Sequence, residues 1–180
     1  MLGEHNARNA ALACALGLHY GVSLAEAAEG LKKVVPTERR LKAEDVGGIY
    51  LIDDSYNAAP DSMISALDVL ASVGGGRKIA VISDMLELGS DEIPGHKRVG
   101  RHISELGIDA VLLTGERKEL YIAGINEAGF NGDYIGQFES IAELCDFLAG
   151  FAAAGDSILV KGSNATGISA AAAKIKEVFR

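Results

Sequence analysis

From Leu41 to the C-terminus, short apolar runs alternate with amphipathic stretches, and few architectures accommodate that alternation. Runs at 41–46, 48–53, 78–83, 110–114, 133–136 and 157–161 have strand length. Stretches at 60–73, 91–106, 117–128, 139–149 and 167–179 have helical spacing. Met63, Ala66, Leu67 and Leu70 share one helical face; so do Ile141, Leu144, Cys145 and Leu148, and Ile168, Ala172, Ile175 and Phe179. Strand–helix alternation predicts the α/β class, with a mostly parallel sheet covered by helices on both faces. The first two runs meet at Gly47-Gly48 and are expected to form a hairpin. Gly74-Gly75-Gly76 reads as a helix-to-strand turn.

The first fifth of the chain differs. Residues 6–20 are small and apolar throughout, which predicts a buried helix. Ser23 and Glu26 form a Ser-x-x-Glu capping box that opens a second helix to about Lys33. Both helices precede any strand, so residues 1–35 read as the tail of a preceding domain and residues 36–180 as a complete one, with a linker near Val34–Thr37.

The chain of 180 residues is long enough for one proper core plus an appendage. Its net charge of −8, without a basic cluster, argues against nucleic acid or an anionic membrane as the main partner. No apolar run approaches the length of a membrane span, and the N-terminus has no secretory pattern. Cys14 and Cys145 sit inside apolar helical patterns and read as buried thiols of a cytoplasmic protein, a disulfide being the less favoured reading.

The chemistry-bearing residues cluster where strands end. Ile49-Tyr50-Leu51-Ile52 is followed by Asp53-Asp54, then Ser55, Tyr56 and Asn57, and Pro60 opens a helix. In open α/β sheets ligands bind outside the carboxyl ends of the strands, which makes Asp53, Asp54, Tyr56 and Asn57 candidate site residues. The competing reading is a helix-entry loop capped by Asp61 or Ser62. Asp84 and Glu87 end another strand, although helix-start carboxylates are also favoured by the helix dipole. Asn6 and Asn9 open a helix, where Asn6 suits an N-cap. Arg39-Arg40 on the residues alone is a solvated linker pair. Gly162 to Gly167 has the glycine spacing of a phosphate loop, but Ile168 stands at the lysine position. That segment either offers backbone N–H groups to an anion or is a plain strand–turn–helix junction. No Cys/His/Asp spacing resembles a metal site, so no metal ligand is assigned.

Asp-Asp-Ser-Tyr-Asn-Ala-Ala-Pro at 53–60 closely resembles the Asp-Asp-Ser-Tyr-Asn-Ala-Asn-Pro motif of the Mur ligases, with Ala59 in place of Asn. Gly3-Glu4-His5-Asn6 with Asn9 resembles that family's Gly-x-His-Asn-x-x-Asn helix start. Arg39-Arg40 resembles its Gly-Arg linker, with Arg39 for Gly. Ser83-Asp84-Met85-Leu86-Glu87-Leu88-Gly89 resembles Gly-Asp-Met-x-Glu-Leu-Gly, with Ser83 for Gly, and His96 follows at the family distance. Lys161-Gly162-Ser163-Asn164 resembles Lys-Gly-Ser-Arg, with Asn164 for Arg. Each motif is short, but together they run in order along almost the whole chain.

The resemblance implies a three-domain ligase, of which this chain would be the end of the central ATPase domain (1–35) plus a Rossmann-like C-terminal domain (36–180). It points to the branch that adds D-alanyl-D-alanine to UDP-N-acetylmuramoyl-tripeptide in peptidoglycan synthesis. In that reaction ATP converts a carboxylate to an acyl phosphate, which the dipeptide amine attacks. The resemblance places the main ATP and Mg²⁺ site in the central domain. It puts Asn6 and Asn9 at adenine, Arg40 at the phosphates on domain closure, and Asp54 at ribose or phosphates, Arg40 and Asp54 being the catalytic pair. It gives substrate-binding roles to Tyr56, Asn57, Asp84, Lys161, Ser163 and Asn164, the last segment lying near the dipeptide carboxylate. The expected partners are the two substrates and the N-terminal and central domains of the same polypeptide, in a monomer. Without a phosphate-loop lysine the chain alone is expected to be inactive. Another Mur or folylpolyglutamate-type ligase, or a non-catalytic α/β binding module, are the alternatives. A dinucleotide oxidoreductase is disfavoured, since no Gly-x-Gly-x-x-Gly follows a strand.

Overall fold

Gly47 and Gly48 take φ of 58° and 85°, the left-handed pair that a tight two-residue hairpin turn requires. They fold β1 (Lys42–Val46) back on β2 (Ile49–Asp54) in antiparallel register. The computed structural model describes residues 3–34 and 37–180. After β2 the chain runs α3 (Pro60–Ser72), β3 (Lys78–Ile82), α4 (Glu92–Glu105), β4 (Ala110–Thr114), α5 (Lys118–Ala128), β5 (Tyr134–Phe138), α6 (Ile141–Phe151), β6 (Ser157–Lys161) and α7 (Ser169–Phe179). Ahead of β1 lie α1 (Glu4–His19) and α2 (Leu24–Lys32). The sheet order is β1-β2-β6-β3-β4-β5, parallel from β2 onward. The predicted elements are present, with ends shifted by a residue or two.

Two apolar layers sandwich this sheet. Met63, Leu67, Val99, Ile103, Tyr121 and Ile125 from α3, α4 and α5 pack on one face against Ile52, Ile82 and Leu113. Leu144, Leu148, Ala171 and Ile175 from α6 and α7 pack on the other against Ile49, Leu51, Val81 and Val160. Side chains alternate along each strand, so one run feeds both layers. β4 and β6 are buried at every position, as strands covered on both faces must be. Pro60 starts α3 at a position where its missing N–H costs nothing. The Ser62 hydroxyl accepts from Ala59 N–H at 3.0 Å, so Ser62 rather than Asp61 serves the helix entry.

The N-terminal helices depart from expectation. α1 was predicted to be buried, yet none of its described side chains is; Leu12 is 71% exposed and Leu16 58%. Apolar composition signals that a helix will be covered, not by what. Here α1 lies beside α2, which also has no buried residue. Cys14 is accordingly only half-buried, whereas Cys145 is buried and its thiol pKa is pushed up by that burial. The capping box at Ser23 and Glu26 is present. Of the expected linker, Val35 and Pro36 lie outside the described residues, so the boundary between residues 35 and 36 does too.

Candidate functional site: two clefts at the carboxyl edge of the sheet

The loops after β2 and β3 lead to α3 and α4 on one face, while the loop after β6, which lies between those strands, leads to α7 on the other. Connections diverging to opposite faces open a crevice at the strand ends. β2 ends in Asp53-Asp54 and β6 in Lys161, and parallel register sets Asp54 directly beside Lys161. The two aspartates point to opposite faces. Asp53 Oδ1 accepts from Ser55 Oγ at 2.6 Å and Ser55 N–H at 3.2 Å, so it holds the loop. Asp54 Oδ2 meets Lys161 Nζ at 2.5 Å, and Asp54 Oδ1 accepts from Leu41 N–H at 2.9 Å. Lys161 Nζ also donates to Asn57 O at 3.0 Å. Burial pushes the Lys161 pKa below the ordinary lysine value; Asp54 opposes that shift, and the nearby charge of Arg40 adds to it.

Above this pair lies a cleft of about 550 Å³ lined by Asn6, Asn9, Arg40, Asp54, Asn57 and Lys161, among others. Two cations, the carboxylates of Asp54 and Asp61, and three amides thus face one space large enough for a small-molecule ligand. Asn6 was expected to suit the N-cap of α1. The N-cap is Gly3 instead, and Asn6 sits three residues on, inside the first turn. The side chains of Glu4 and His5, part of the same motif, lie outside the described residues.

The linker that carries Arg40 is pinned from several sides. Arg39 and Leu41 both have left-handed backbone, with φ of 57° and 49°. Arg39 O accepts from Tyr56 N–H at 3.1 Å, and Arg39 Nη1 donates to Asn164 Oδ1 at 2.8 Å. The Arg40 guanidinium lies 4.3 Å above the Tyr56 ring centroid, a cation–π distance. Tyr56 is therefore placed beside the first cleft as a platform for Arg40.

A second cleft, of about 460 Å³, opens at the ends of β3, β4 and β5, with Ser83, Asp84, Thr114, Arg117, Lys118 and Ser140 in its wall. Asp84 is buried, and its two oxygens accept from Glu116 N–H at 2.9 Å and Arg117 N–H at 3.0 Å. Gly115 must be glycine: φ is 110°, and an added Cβ would lie 2.4 Å from Asp84 Oδ1. Arg117 pairs with Glu92 at 3.2 Å, and the Glu92 charge leads the causes that raise its pKa. Ser163, between the clefts, accepts from Leu86 N–H at 2.9 Å and donates its own N–H to Asp84 O at 2.9 Å. His96 is buried beneath, accepting from Met85 N–H at 3.2 Å through Nε2, with Nδ1 2.6 Å from Glu92 O. The Tyr121 hydroxyl donates to Ser83 O at 3.0 Å, and burial raises its pKa well above the ordinary tyrosine value.

The structure thus divides the sequence candidates between two spaces. Asn6, Asn9, Arg40, Asp54, Asn57 and Lys161 share the first, Asp84 lies in the second, and Tyr56, Ser163 and Asn164 flank them. Within the segment 162–169, Asn164–Thr166 form a short 3₁₀ turn in which Thr166 and Gly167 N–H groups bond back to Ser163 and Asn164, so those donors face the turn and not a ligand. Arg117, Lys118 and Ser140 escaped the sequence reading. The signal was Thr114-Gly115-Glu116-Arg117 after the apolar run 110–114, the same strand-end position that singled out Asp54. Among the described residues no group of three or more His, Cys, Asp or Glu side chains is placed to hold a metal ion.

Residues 37–164 match the family model for the Mur ligase, glutamate ligase domain. The chain belongs to the Mur ligase family. Among curated Mur ligases it is 36% identical over 165 residues to the UDP-N-acetylmuramoyl-tripeptide–D-alanyl-D-alanine ligase of Bacillus subtilis, covering 91% of this chain and 36% of that protein. It is 32% identical over 176 residues to the ligase of the same name from Synechocystis, covering 97% of this chain and 38% of that one. The crystal structure of MurF from Acinetobacter baumannii superposes with a TM-score of 0.86 at 31% identity, over 98% of this chain and 38% of that chain. MurF from Thermotoga maritima, solved in complex with ADP, shares the fold at 21% identity and a TM-score of 0.72, over 92% of this chain and 36% of that chain. The chain therefore spans less than two fifths of the length of the relatives it matches. The Rossmann-like α/β fold expected from the resemblance is the fold observed.

Proposed function

We propose that this chain is part of a longer ATP-dependent ligase that joins D-alanyl-D-alanine to UDP-N-acetylmuramoyl-tripeptide in peptidoglycan synthesis. Residues 1–35 are then the last helices of the central ATPase domain and residues 36–180 the domain that presents the amine substrate. The observation that carries the reading is the first cleft, where Arg40 and Lys161 meet Asp54 and the amides of Asn6 and Asn9. The family match beginning at Thr37, and the curated relatives of one name along nearly the whole chain, support it. The uncovered apolar side chains of α1 fit a helix whose cover is another domain.

The residues present fit ATP. An amide pairs with an adenine edge through one donor and one acceptor, a carboxylate accepts from ribose hydroxyls, and a guanidinium forks onto phosphate oxygens. Asn6, Asn9, Asp54 and Arg40 supply those groups around one space. ATP, when bound, supplies the phosphoryl group that activates the tripeptide carboxylate. Mg²⁺ finds no ligand cluster among the described residues, and its site is assigned to the central domain. The second cleft, with Ser83, Arg117, Lys118 and Ser140 at the strand ends, is assigned to the dipeptide. Closure of this domain on the ATPase domain brings Arg40 to the phosphates, aligns the amine and excludes water. We place the enzyme in the cytoplasm as a monomer. Among the described residues no helix is long and apolar enough to cross a membrane.

The test is reconstitution of the longer polypeptide with ATP, Mg²⁺ and both substrates. The reading expects one phosphate released per amide formed, with strict dependence on D-alanyl-D-alanine. Incorporation of a free amino acid in place of the dipeptide would move the chain to another branch of the family. Phosphate release by residues 1–180 alone would overturn the assignment of the ATPase machinery to another domain.

A further inference from the structure

Lys161 is the one lysine among the described residues whose side chain is as little as 2% exposed, and the reaction as described gives it no task. Its stem is fixed by the sheet, since β6 pairs with β2 on one side and β3 on the other, at Asp54 and Ile82. An ammonium buried there, close enough to feel the charge of Arg40, is tolerated only because it is paired. We propose that Lys161 is a positioning residue: by holding Asp54 it sets the backbone of the linker, and thereby the place of Arg40 at the first cleft. The proposal rests on the reading of that cleft as the ATP-side site.

The chain of contacts is short. Lys161 Nζ takes Asp54 Oδ2 and Asn57 O, which fixes the carboxylate and the start of the β2–α3 loop together. The other carboxylate oxygen then faces the linker and accepts from Leu41 N–H at 2.9 Å. Leu41 and Arg39, on either side of Arg40, are both left-handed. Non-glycine residues hold that conformation only where their surroundings impose it. What imposes it here is the Asp54 bond to Leu41 N–H, the burial of the Leu41 side chain, and the Tyr56 N–H bond to Arg39 O. Arg40 lies over the Tyr56 ring as the outcome. Lys161 lines the cleft, but its ammonium is engaged by the carboxylate and carbonyl that build the cleft wall.

The experiment compares Lys161→Met, Asp54→Asn and the double variant, in the 180-residue chain and in the longer ligase. In the chain, amide hydrogen exchange is read at Leu41 and, for reference, at Leu51 and Leu159 in the sheet. Lys161→Met is expected to speed Leu41 exchange by roughly tenfold or more, as local loss of a charge-assisted bond would, with the sheet amides unchanged. Asp54→Asn is expected to do the same, because it turns an amide against the ammonium. The double variant, with neither charge to pair, is expected to lie closer to wild type than either single one. In the ligase, Lys161→Met is expected to lower kcat while the KM for D-alanyl-D-alanine stays constant. Unchanged Leu41 exchange in Asp54→Asn overturns the proposal even if Lys161→Met fails to fold. A lowered kcat in Lys161→Met with unchanged Leu41 exchange also overturns it, in favour of direct contact with the ligand. A rise confined to the dipeptide KM overturns it in favour of the amine site. If the wild-type ligase forms no amide, the functional reading falls, and Leu41 exchange still decides the role of Lys161.

Discussion

Arg39 and Asn164, 125 residues apart, are joined by a 2.8 Å hydrogen bond from guanidinium to amide oxygen. They are also two of the positions at which this chain departs from the family motifs, which have Gly and Arg there. The guanidinium beside the loop after β6 therefore enters from the linker here. It ties the linker to that loop, in addition to the Leu41–Asp54 bond.

This geometry makes opposite predictions for two substitutions at one position. Arg39 has φ 57°, which glycine adopts without steric cost and alanine does not. Arg39→Gly and Arg39→Ala both remove the bond to Asn164, but the glycine variant also relieves the backbone. Urea denaturation of the 180-residue chain should find Arg39→Gly more stable than Arg39→Ala by about 1 kcal/mol. Equal stability would mean that the left-handed linker is not the conformation in solution.

Asp84 gives the second prediction. Its carboxylate is buried and accepts two backbone N–H bonds from the turn that carries Arg117 and Lys118. Asp84→Asn keeps the shape but can accept through only one oxygen, and should cost about 2 kcal/mol, as lost bonds to a buried charge do. In the longer ligase the second cleft should loosen, so the KM for D-alanyl-D-alanine rises while the KM for ATP does not. Gly115→Ala should reproduce the pattern, because its Cβ collides with the Asp84 carboxylate. An ATP-specific defect in both variants would assign the clefts the other way round.

What the residues disclosed in advance, and what they withheld, follows from range. The alternation after Leu41 identified the layered α/β fold because buried parallel strands are short apolar runs with no competing explanation. Gly47-Gly48 identified the hairpin because the signal is local. The motif of Lys161 could be read, but its partner could not: Asp54 lies 107 residues away and meets it only through strand order. Arg117 was passed over because a polar cluster after a strand looks the same whether it caps a helix or lines a cleft. The burial of α1 was misjudged because composition reports the need for cover, and the cover is not α2.

A third prediction concerns acid. Glu44 on β1 pairs with Lys176 of α7 at 2.7 Å and with Arg180, and the Lys176 contact leads the causes that hold its carboxyl below the ordinary glutamate value. A carboxyl whose folded pKa is depressed adds stability above its unfolded pKa and loses it as pH falls through the folded one. Glu44→Gln should therefore be less stable than wild type at neutral pH, by up to about 1 kcal/mol for a partly exposed pair. The gap should close as pH drops below the ordinary carboxylate range. Denaturation curves at neutral pH and in acid check this, and a gap that stays the same in acid would show that the pairing contributes nothing.

The last prediction separates the two linker arginines by what each touches. Arg40 lies in the wall of the first cleft, 4.3 Å over the Tyr56 ring, whereas the Arg39 guanidinium is 5.5 Å from that ring and bonded to Asn164 outside that wall. If closure brings the cleft onto ATP, the Arg40 guanidinium acts on charge that develops during phosphoryl transfer, so its loss should fall on kcat. Removal of one such donor costs on the order of a hundredfold, and Arg40→Ala in the longer ligase should behave so. Arg40→Lys should recover little, because an ammonium does not reproduce the planar fork or stack as well on the Tyr56 ring. Tyr56→Phe keeps the ring and should be mild; Tyr56→Ala removes the platform and should lower kcat in the same direction as Arg40→Ala, but less. Arg39→Ala should be milder than Arg40→Ala, since it loosens the linker without emptying the cleft of its guanidinium. Steady-state kinetics of the five variants decides the matter, and a larger kcat defect in Arg39→Ala than in Arg40→Ala would show that Arg39 is the arginine that reaches the phosphates.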